Sequence, residues 1–373
     1  MNSEPLIIAI IDDDELMLRS LVRYFKVSVP DAQINTFSSP VEFIKELSRF
    51  VRLDLVVTDY LMPKVNGLEL IEQTRQHFKN TLSVLLTGDT SGQILTPSSL
   101  ATTFIIAKPF KKSDLDEVLI AADRLSTLKL PKELELALID TFIINDFPLL
   151  LNKLDDVDLD FKKLTKLLEK ELVIQAKLFH LCNTAYVGLS TKKYSLETAI
   201  KTLGIDLVSA IITATCFQSM VTAHYTIHDC EQRIENNFKK VKLLKEIVNR
   251  TPAMEVNKEQ MVFIESLLFL GELGEEIANI CGFRELQNYA EKLKISVFIA
   301  THIGYEANLI STLGLMYDTF CAGLPDNNES VRLLLLVDTV DNKQLHADII
   351  TTHFQDSPAW LEHFYELRQN YFA

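Results

Sequence analysis

No stretch of this sequence approaches the roughly 20 apolar residues that a membrane span needs, so no spanning helix is expected. The N-terminal segment MNSEPLIIAIIDDD has no basic region before its apolar run, and that run ends in three acids. It is therefore not expected to act as a signal peptide. Positive charge is also in deficit: 37 Lys and Arg face 51 Asp and Glu, for a net charge of −14. Nucleic acids are gripped through their phosphates by a basic face, and anionic membrane surfaces attract basic segments, so neither partner is expected. The five cysteines, Cys182, Cys216, Cys230, Cys281 and Cys321, are scattered and form no C-x-x-C pair. They read as reduced core thiols of a cytoplasmic protein. A phosphate-binding G-x-x-x-x-G-K-[ST] loop, a G-x-S-x-G elbow and a Cys/His pair with triad logic are all missing.

What is present is enough apolar material for two cores: 373 residues, 47% hydrophobic and 24% charged. The first part alternates strand-like and helix-like segments. Leu6–Ile11 is a continuous apolar run, as in a strand buried on both faces. Residues 33–37, 53–58, 81–88 and 104–107 read as four further strands. Between them lie helical patterns at 15–27, 40–47, 68–78 and 113–125, the last with Ser113 and Asp116 as a capping box. Alternation of this kind predicts a doubly wound, five-stranded parallel sheet. After Leu125 the alternation stops. Residues 131–145 read as a connector helix with Leu134, Leu138 and Phe142 on one face, and everything from about Phe147 onward reads as helix.

In an open α/β sheet the working groups sit at the carboxyl ends of the strands. Here those ends carry Asp12-Asp13, Asp59, Thr87-Gly88 and Lys108-Pro109. Three carboxylates gathered together repel one another unless a cation lies between them, and hard oxygen ligands suit Mg²⁺. Lys108 adds fixed positive charge and Thr87 a hydroxyl. Such a set fits phosphoryl transfer to a carboxylate, giving an acyl phosphate.

IIDDD, VVTDYLMPKVNG, LLTG and AKPF, in this order, resemble the receiver (CheY-like, flavodoxin-like) domain of two-component response regulators over residues 1–126. The resemblance implies that Asp59 is the phosphoacceptor and that Thr87 and Lys108 sense the phosphoryl group. It implies that Asp13, Asp59 and the backbone carbonyl of Leu61 ligate Mg²⁺, with Asp12 ordering the metal's water. It also implies a histidine kinase as donor, and leaves open a homodimer through the last receiver helix. One position departs from the family: Ile105 stands where an aromatic switch residue is usual, and Phe104 falls on the opposite face of its strand.

The segment LVIQAKLFHLCNTAYVGLSTKKYSLETAIKTLGIDLVSAII, 172–212, resembles the HDOD domain, an all-helical relative of HD-type phosphohydrolases. Leu178, Leu181, Asn183, Tyr186, Gly188, Ser195, Ala199, Ile200, Leu203 and Gly204 carry the likeness, although Glu171-Leu172 replaces the common Asp-Pro. The expected division is receiver 1–126, connector 127–146, HDOD domain 147–335 and a helical extension 336–373. A hydrolytic relative needs an adjacent His-Asp pair; here that pair falls at Gly271-Glu272, and an upstream His falls near Asn236. A non-catalytic output domain that binds a signalling protein is the expectation, and the resemblance sets cyclic di-GMP enzymes among its neighbours. The alternatives are an HD-type cyclic di-GMP phosphodiesterase, or a DNA-binding regulator using the lysine-rich 236–250, whose charges read as the exposed side of an amphipathic helix. His224, His228 and Asp229 read as a polar loop, Glu275-Glu276 as a solvated face, His302 as a structural histidine at a helix start, and His180 as a core residue.

Overall fold

The computed structural model describes residues 4–88, 102–142, 154, 159–168, 178, 195–205, 207–209, 211–213, 216, 230–251, 254, 258–286, 288–305, 307–322, 328–354 and 358–372. The chain divides into two compact units, Met1–Leu149 with Val297–Ser311, and Leu150–Ser296 with Thr312–Ala373.

The first unit holds the five-stranded parallel sheet, ordered β2-β1-β3-β4-β5. Its strands are β1 (Ile7–Ile11), β2 (Gln33–Phe37), β3 (Leu55–Asp59), β4 (Leu82–Thr87) and β5 (Phe104–Ala107). Every residue of β3 and β4 is buried, as continuous apolar runs predict for strands covered on both faces. Alternate residues feed the two layers. Ala9, Ile11, Val56 and Leu85 pack with Phe43, Leu47, Leu70 and Ile71 from α2 (Pro40–Glu46), the short turn behind it and α3 (Gly67–His77). On the other face lie α1 (Glu15–Ser28) and α4 (Lys112–Thr127), which bury Leu18, Leu21, Phe25, Leu115 and Val118. The Tyr24 hydroxyl joins these two helices by donating to Asp116 Oδ1 at 2.6 Å. The expected capping box therefore shifts: Asp114 Oδ2, not Asp116, accepts from the Lys111 N–H at 2.7 Å.

The other helix starts are local in origin. Asp14 caps α1 by accepting from the Leu16 N–H at 2.8 Å, and Asn66 with Glu69 forms a capping box on α3. The helix expected as a connector is α5 (Lys132–Phe142); it belongs to the first unit, and its Leu134, Leu138 and Ile139 are buried.

The helical part comprises α6 (Phe161–Leu168), α7 (Leu196–Leu203), α8 (Cys230–Arg250), α9 (Lys258–Ile280), α10 (Tyr289–Ile303), α11 (Ala307–Ala322), α12 (Glu329–Asp338), α13 (Lys343–His353) and α14 (Ala359–Tyr371). α8 packs against α9, α12 and α14. Ser195 caps α7 as its sequence position suggests, through the Thr198 N–H at 3.5 Å. Leu164 and Leu168 of α6 are buried, whereas Phe161 is exposed. Of the cysteines, Cys216 is buried as expected, whereas Cys281 and Cys321 are exposed. Leu181, Asn183, Tyr186, Gly188, His180, His224, His228, Asp229 and Cys182 lie outside the described residues.

Gly67 explains the glycine that follows Asp59 in the sequence. A Cβ there would stand 2.3 Å from the Asp59 carbonyl oxygen and 2.6 Å from Leu85 Cδ1. No side chain fits without displacing the end of β3. Gly67→Ala is expected to lower stability by about 1–3 kcal/mol through overpacking. Urea unfolding checks this, and an unchanged midpoint would contradict it.

Candidate functional site

β3 ends on Asp59, and β1, β4 and β5 run beside it or one strand further, all in the same direction. Asp12 follows β1, Thr87 closes β4 and Lys108 follows β5, so these groups reach one edge of the sheet. Lys108 Nζ lies 2.6 Å from Asp59 Oδ1 and 3.2 Å from Asp12 Oδ2. The second oxygen of Asp59 accepts from the Leu61 N–H at 2.9 Å, and Asp12 Oδ1 accepts from the Asp14 N–H at 2.9 Å. Asp12, Asp59 and Thr87 are nearly withdrawn from water. The Lys108 N–H donates to the Thr87 carbonyl at 2.7 Å, which ties the two strand ends together. In the register, Leu85 faces Ile105 and Val84 faces Phe104, so these two side chains alternate across β5; both are half-buried.

Burial pushes the Asp12 carboxyl upward, and the negative charge of Asp59 adds to this against the Asp14 N–H and Lys108. Burial alone would lower the Lys108 ammonium, but its contacts with Asp59 and Asp12 outweigh that and raise it. Lys108 is thus held charged. The structure brings Asp12, Asp59 and Lys108 together; Asp13 is exposed, and among the described residues no three His, Cys, Asp or Glu side chains form a group placed to hold a metal ion. The carboxylate and carbonyl oxygens available here are nonetheless of the hard kind that Mg²⁺ takes.

The second unit contains another charged centre, one that sequence reasoning missed. Lys240 on α8 is buried, and Lys239, Lys242 and Lys245 are half-buried, so the lysines of 236–250 do not form an exposed face. Their one legible warning is spacing: Asn237, Lys240, Val241, Leu244 and Val248 share one helical stripe. Lys240 Nζ lies 3.3 Å from Glu272 Oε1 and 3.1 Å from Asp341 Oδ2. Lys292 Nζ lies 2.9 Å from both Glu272 Oε1 and Asp338 Oδ1. These groups line a cavity of about 460 Å³ together with Arg233, Asn236, Glu275 and Tyr289. Burial acts against the Glu272 carboxylate, yet Lys292 and Lys240 hold it down at about 2. Glu275 and Glu276 are not a solvated face: Glu276 pairs with Arg233, and burial pushes Glu275 up to about 7. Gly271, at the expected His position, is a helix crossing. A Cβ there would meet Ser296 Oγ at 2.3 Å and the Lys292 carbonyl at 2.4 Å.

Residues 8–120 match the family model of the response regulator receiver domain, and residues 147–292 match that of the HDOD domain. The chain carries a receiver domain followed by an HDOD domain. The receiver segment is 30% identical over 112 residues to a putative two-component response regulator of Arabidopsis thaliana, covering 30% of this chain and 18% of that protein. It is 31% identical over 105 residues to the transcriptional regulatory protein FlgR of Helicobacter pylori, covering 28% and 26%. The chain thus spans about a quarter or less of the length of these relatives. Among solved structures it is similar to the signal receiver domain of an HD domain-containing protein from Pseudomonas fluorescens, with 20% identity, 33% of this chain and 94% of that one covered, and a TM-score of 0.29. It is also similar to the Vibrio cholerae chemotaxis protein CheY4, with 20% identity, 30% and 92% covered, and a TM-score of 0.28. Among the described residues no helix is long and apolar enough to cross a membrane.

His302, expected at a helix start, instead sits in the last turn of α10, in the part of that helix that belongs to the first unit. Its Nδ1 lies 3.1 Å from the Phe298 carbonyl and its Nε2 3.4 Å from the Asn80 carbonyl. Burial lowers its pKa from 6.5 to about 4, with the Arg75 charge adding to the shift. A folded-state pKa below the unfolded value means that the unfolded chain binds the proton first as pH falls. The stability His302 confers is present above pH 6.5 and is lost as pH falls from 6.5 to below 4, on the order of 3 kcal/mol in all. His302→Gln is expected to flatten that part of the stability profile, measured by denaturant unfolding at stepped pH; an unaltered slope would contradict it.

Proposed function

We propose that the receiver accepts a phosphoryl group on Asp59 and thereby controls the HDOD domain, which binds a signalling partner protein without turning it over. The observation that supports this reading is the state of the Asp59 carboxylate. It is nearly buried, with one oxygen on the Lys108 ammonium and the other on the Leu61 N–H. A carboxylate held from both sides is an aimed nucleophile whose charge is balanced by a neighbour rather than by water.

In the proposed reaction an Asp59 oxygen attacks the phosphorus of a kinase phosphohistidine. The P–N bond breaks, its electron pair stays on the imidazole, and an acyl phosphate forms on Asp59. Lys108 moves from balancing the carboxylate to balancing a phosphoryl oxygen. The Thr87 hydroxyl, one strand away, supplies a donor to another. Asp13, Asp59 and the Leu61 carbonyl are the residues that would hold Mg²⁺, with Asp12 ordering its water. That ion would supply further neutralisation of the phosphoryl charge. Phosphorylation then shifts the population of receiver conformers around β4 and β5, whose ends carry Thr87 and Lys108.

The test uses acetyl phosphate as a small donor. Asp59→Asn is expected to abolish Mg²⁺-dependent labelling, with the loss exceeding a hundredfold. Labelling that persists in this variant would move the acceptor elsewhere.

A further inference from the structure

Lys240 and Lys292 meet over two shared oxygens. Glu272 Oε1 lies 3.3 Å from one ammonium and 2.9 Å from the other. Asp338 Oδ1 lies 3.5 Å and 2.9 Å from the same two nitrogens. Each carboxylate therefore bridges two cationic centres, which is the connectivity of a carboxylate-bridged pair of divalent ions. The outer partners follow the same pattern. Asp341 Oδ2 is a terminal acceptor of Lys240 at 3.1 Å, and the Tyr289 hydroxyl orients Asp338 by donating to its Oδ2 at 2.8 Å. Glu265 is fully buried, and neither of its carboxylate oxygens has a hydrogen-bond partner. Its titration is nonetheless governed by burial and by Asp338, Lys240, Lys292 and Glu272, so it stands beside the centre with its binding capacity unused.

We propose that the ammonium groups of Lys240 and Lys292 are the resident cations of this centre, occupying the places that two divalent metal ions would take. The inference deepens the non-catalytic reading of the HDOD domain and does not depend on Asp59. An ammonium neutralises carboxylates as a metal does, but it has no open coordination position and generates no hydroxide from water. A divalent ion entering the cavity would face two desolvated positive charges at close range, and Glu272, Asp338 and Asp341 are already engaged. The cavity keeps a bridged, balanced floor and loses the means of hydrolysis.

Removing one ammonium should reopen the site to metal. The test uses the full chain carrying Asp13→Asn and Asp59→Asn, so that the receiver takes no ion and the two readings fail independently. Binding of Mn²⁺ is followed by the loss of its free-ion electron spin resonance signal. The parent chain is expected to bind none at millimolar Mn²⁺, and the same chain with Lys292→Ala to bind one ion per chain at least tenfold more tightly, with a rise in Tm on adding Mn²⁺. Binding by the parent, or a folded Lys292→Ala chain that takes no Mn²⁺, would overturn the assignment. Should Lys292→Ala not fold in metal-free buffer, refolding with Mn²⁺ becomes the readout. Recovery of the helical circular dichroism signal supports the assignment, and failure to recover counts against it.

Discussion

A single ammonium, that of Lys108, lets two nearly buried carboxylates coexist at the end of the sheet. Asp12 and Asp59 are both withdrawn from water, where like charges repel more strongly. The contacts of 3.2 Å and 2.6 Å to Lys108 compensate them. Everything around the site serves that arrangement. Buried strands carry the three groups to one edge, the Leu61 N–H fixes the free oxygen of Asp59, and Gly67 leaves room for the Asp59 carbonyl. A residue with a side chain at 67 would push on the backbone that carries Asp59. Fold and chemistry meet at that peptide.

The helical unit solves a similar electrostatic problem with the opposite outcome. At the receiver edge one ammonium serves two acids. In the helical cavity two ammonium groups serve Glu272, Asp338 and Asp341, and the charges close upon each other. Breaking one partner of such a buried set strands the others in a medium that solvates them poorly. Under the proposed function the first site gains a charged group, and under the further inference the second resists one.

The five parallel strands and the groups at their ends were legible because they depend on short-range patterns. Apolar runs of four to six residues, each followed by an acid, a hydroxyl or a lysine, define both the sheet and its working edge. The misreadings involve contacts between residues far apart in sequence. Asp116 looked like a helix cap by spacing, but Tyr24 on another helix claims it, and Asp114 caps instead. Lys240 looked like a solvated lysine, because no local pattern announces that Glu272, Asp338 and Asp341 surround it. In the sequence Gly271 reads only as a departure from the His-Asp pair, and its physical reason, the passage of Ser296 and the Lys292 carbonyl within reach of any Cβ, lies further along the chain on α10. His302 was assigned to the wrong end of its helix because the helix start lies at Tyr289, after the cap supplied by Asn288.

The central claim is that the carboxylate of residue 59, and no other, becomes the acyl phosphate. Borohydride reduces an acyl phosphate of aspartate to homoserine, and peptide mass spectrometry then reads the position directly. After phosphorylation of the full chain in the presence of Mg²⁺, the account predicts homoserine at position 59, with the carboxylates of Asp12 and Asp13 intact. Homoserine at a different residue, or none under conditions where phosphate is incorporated, would contradict it.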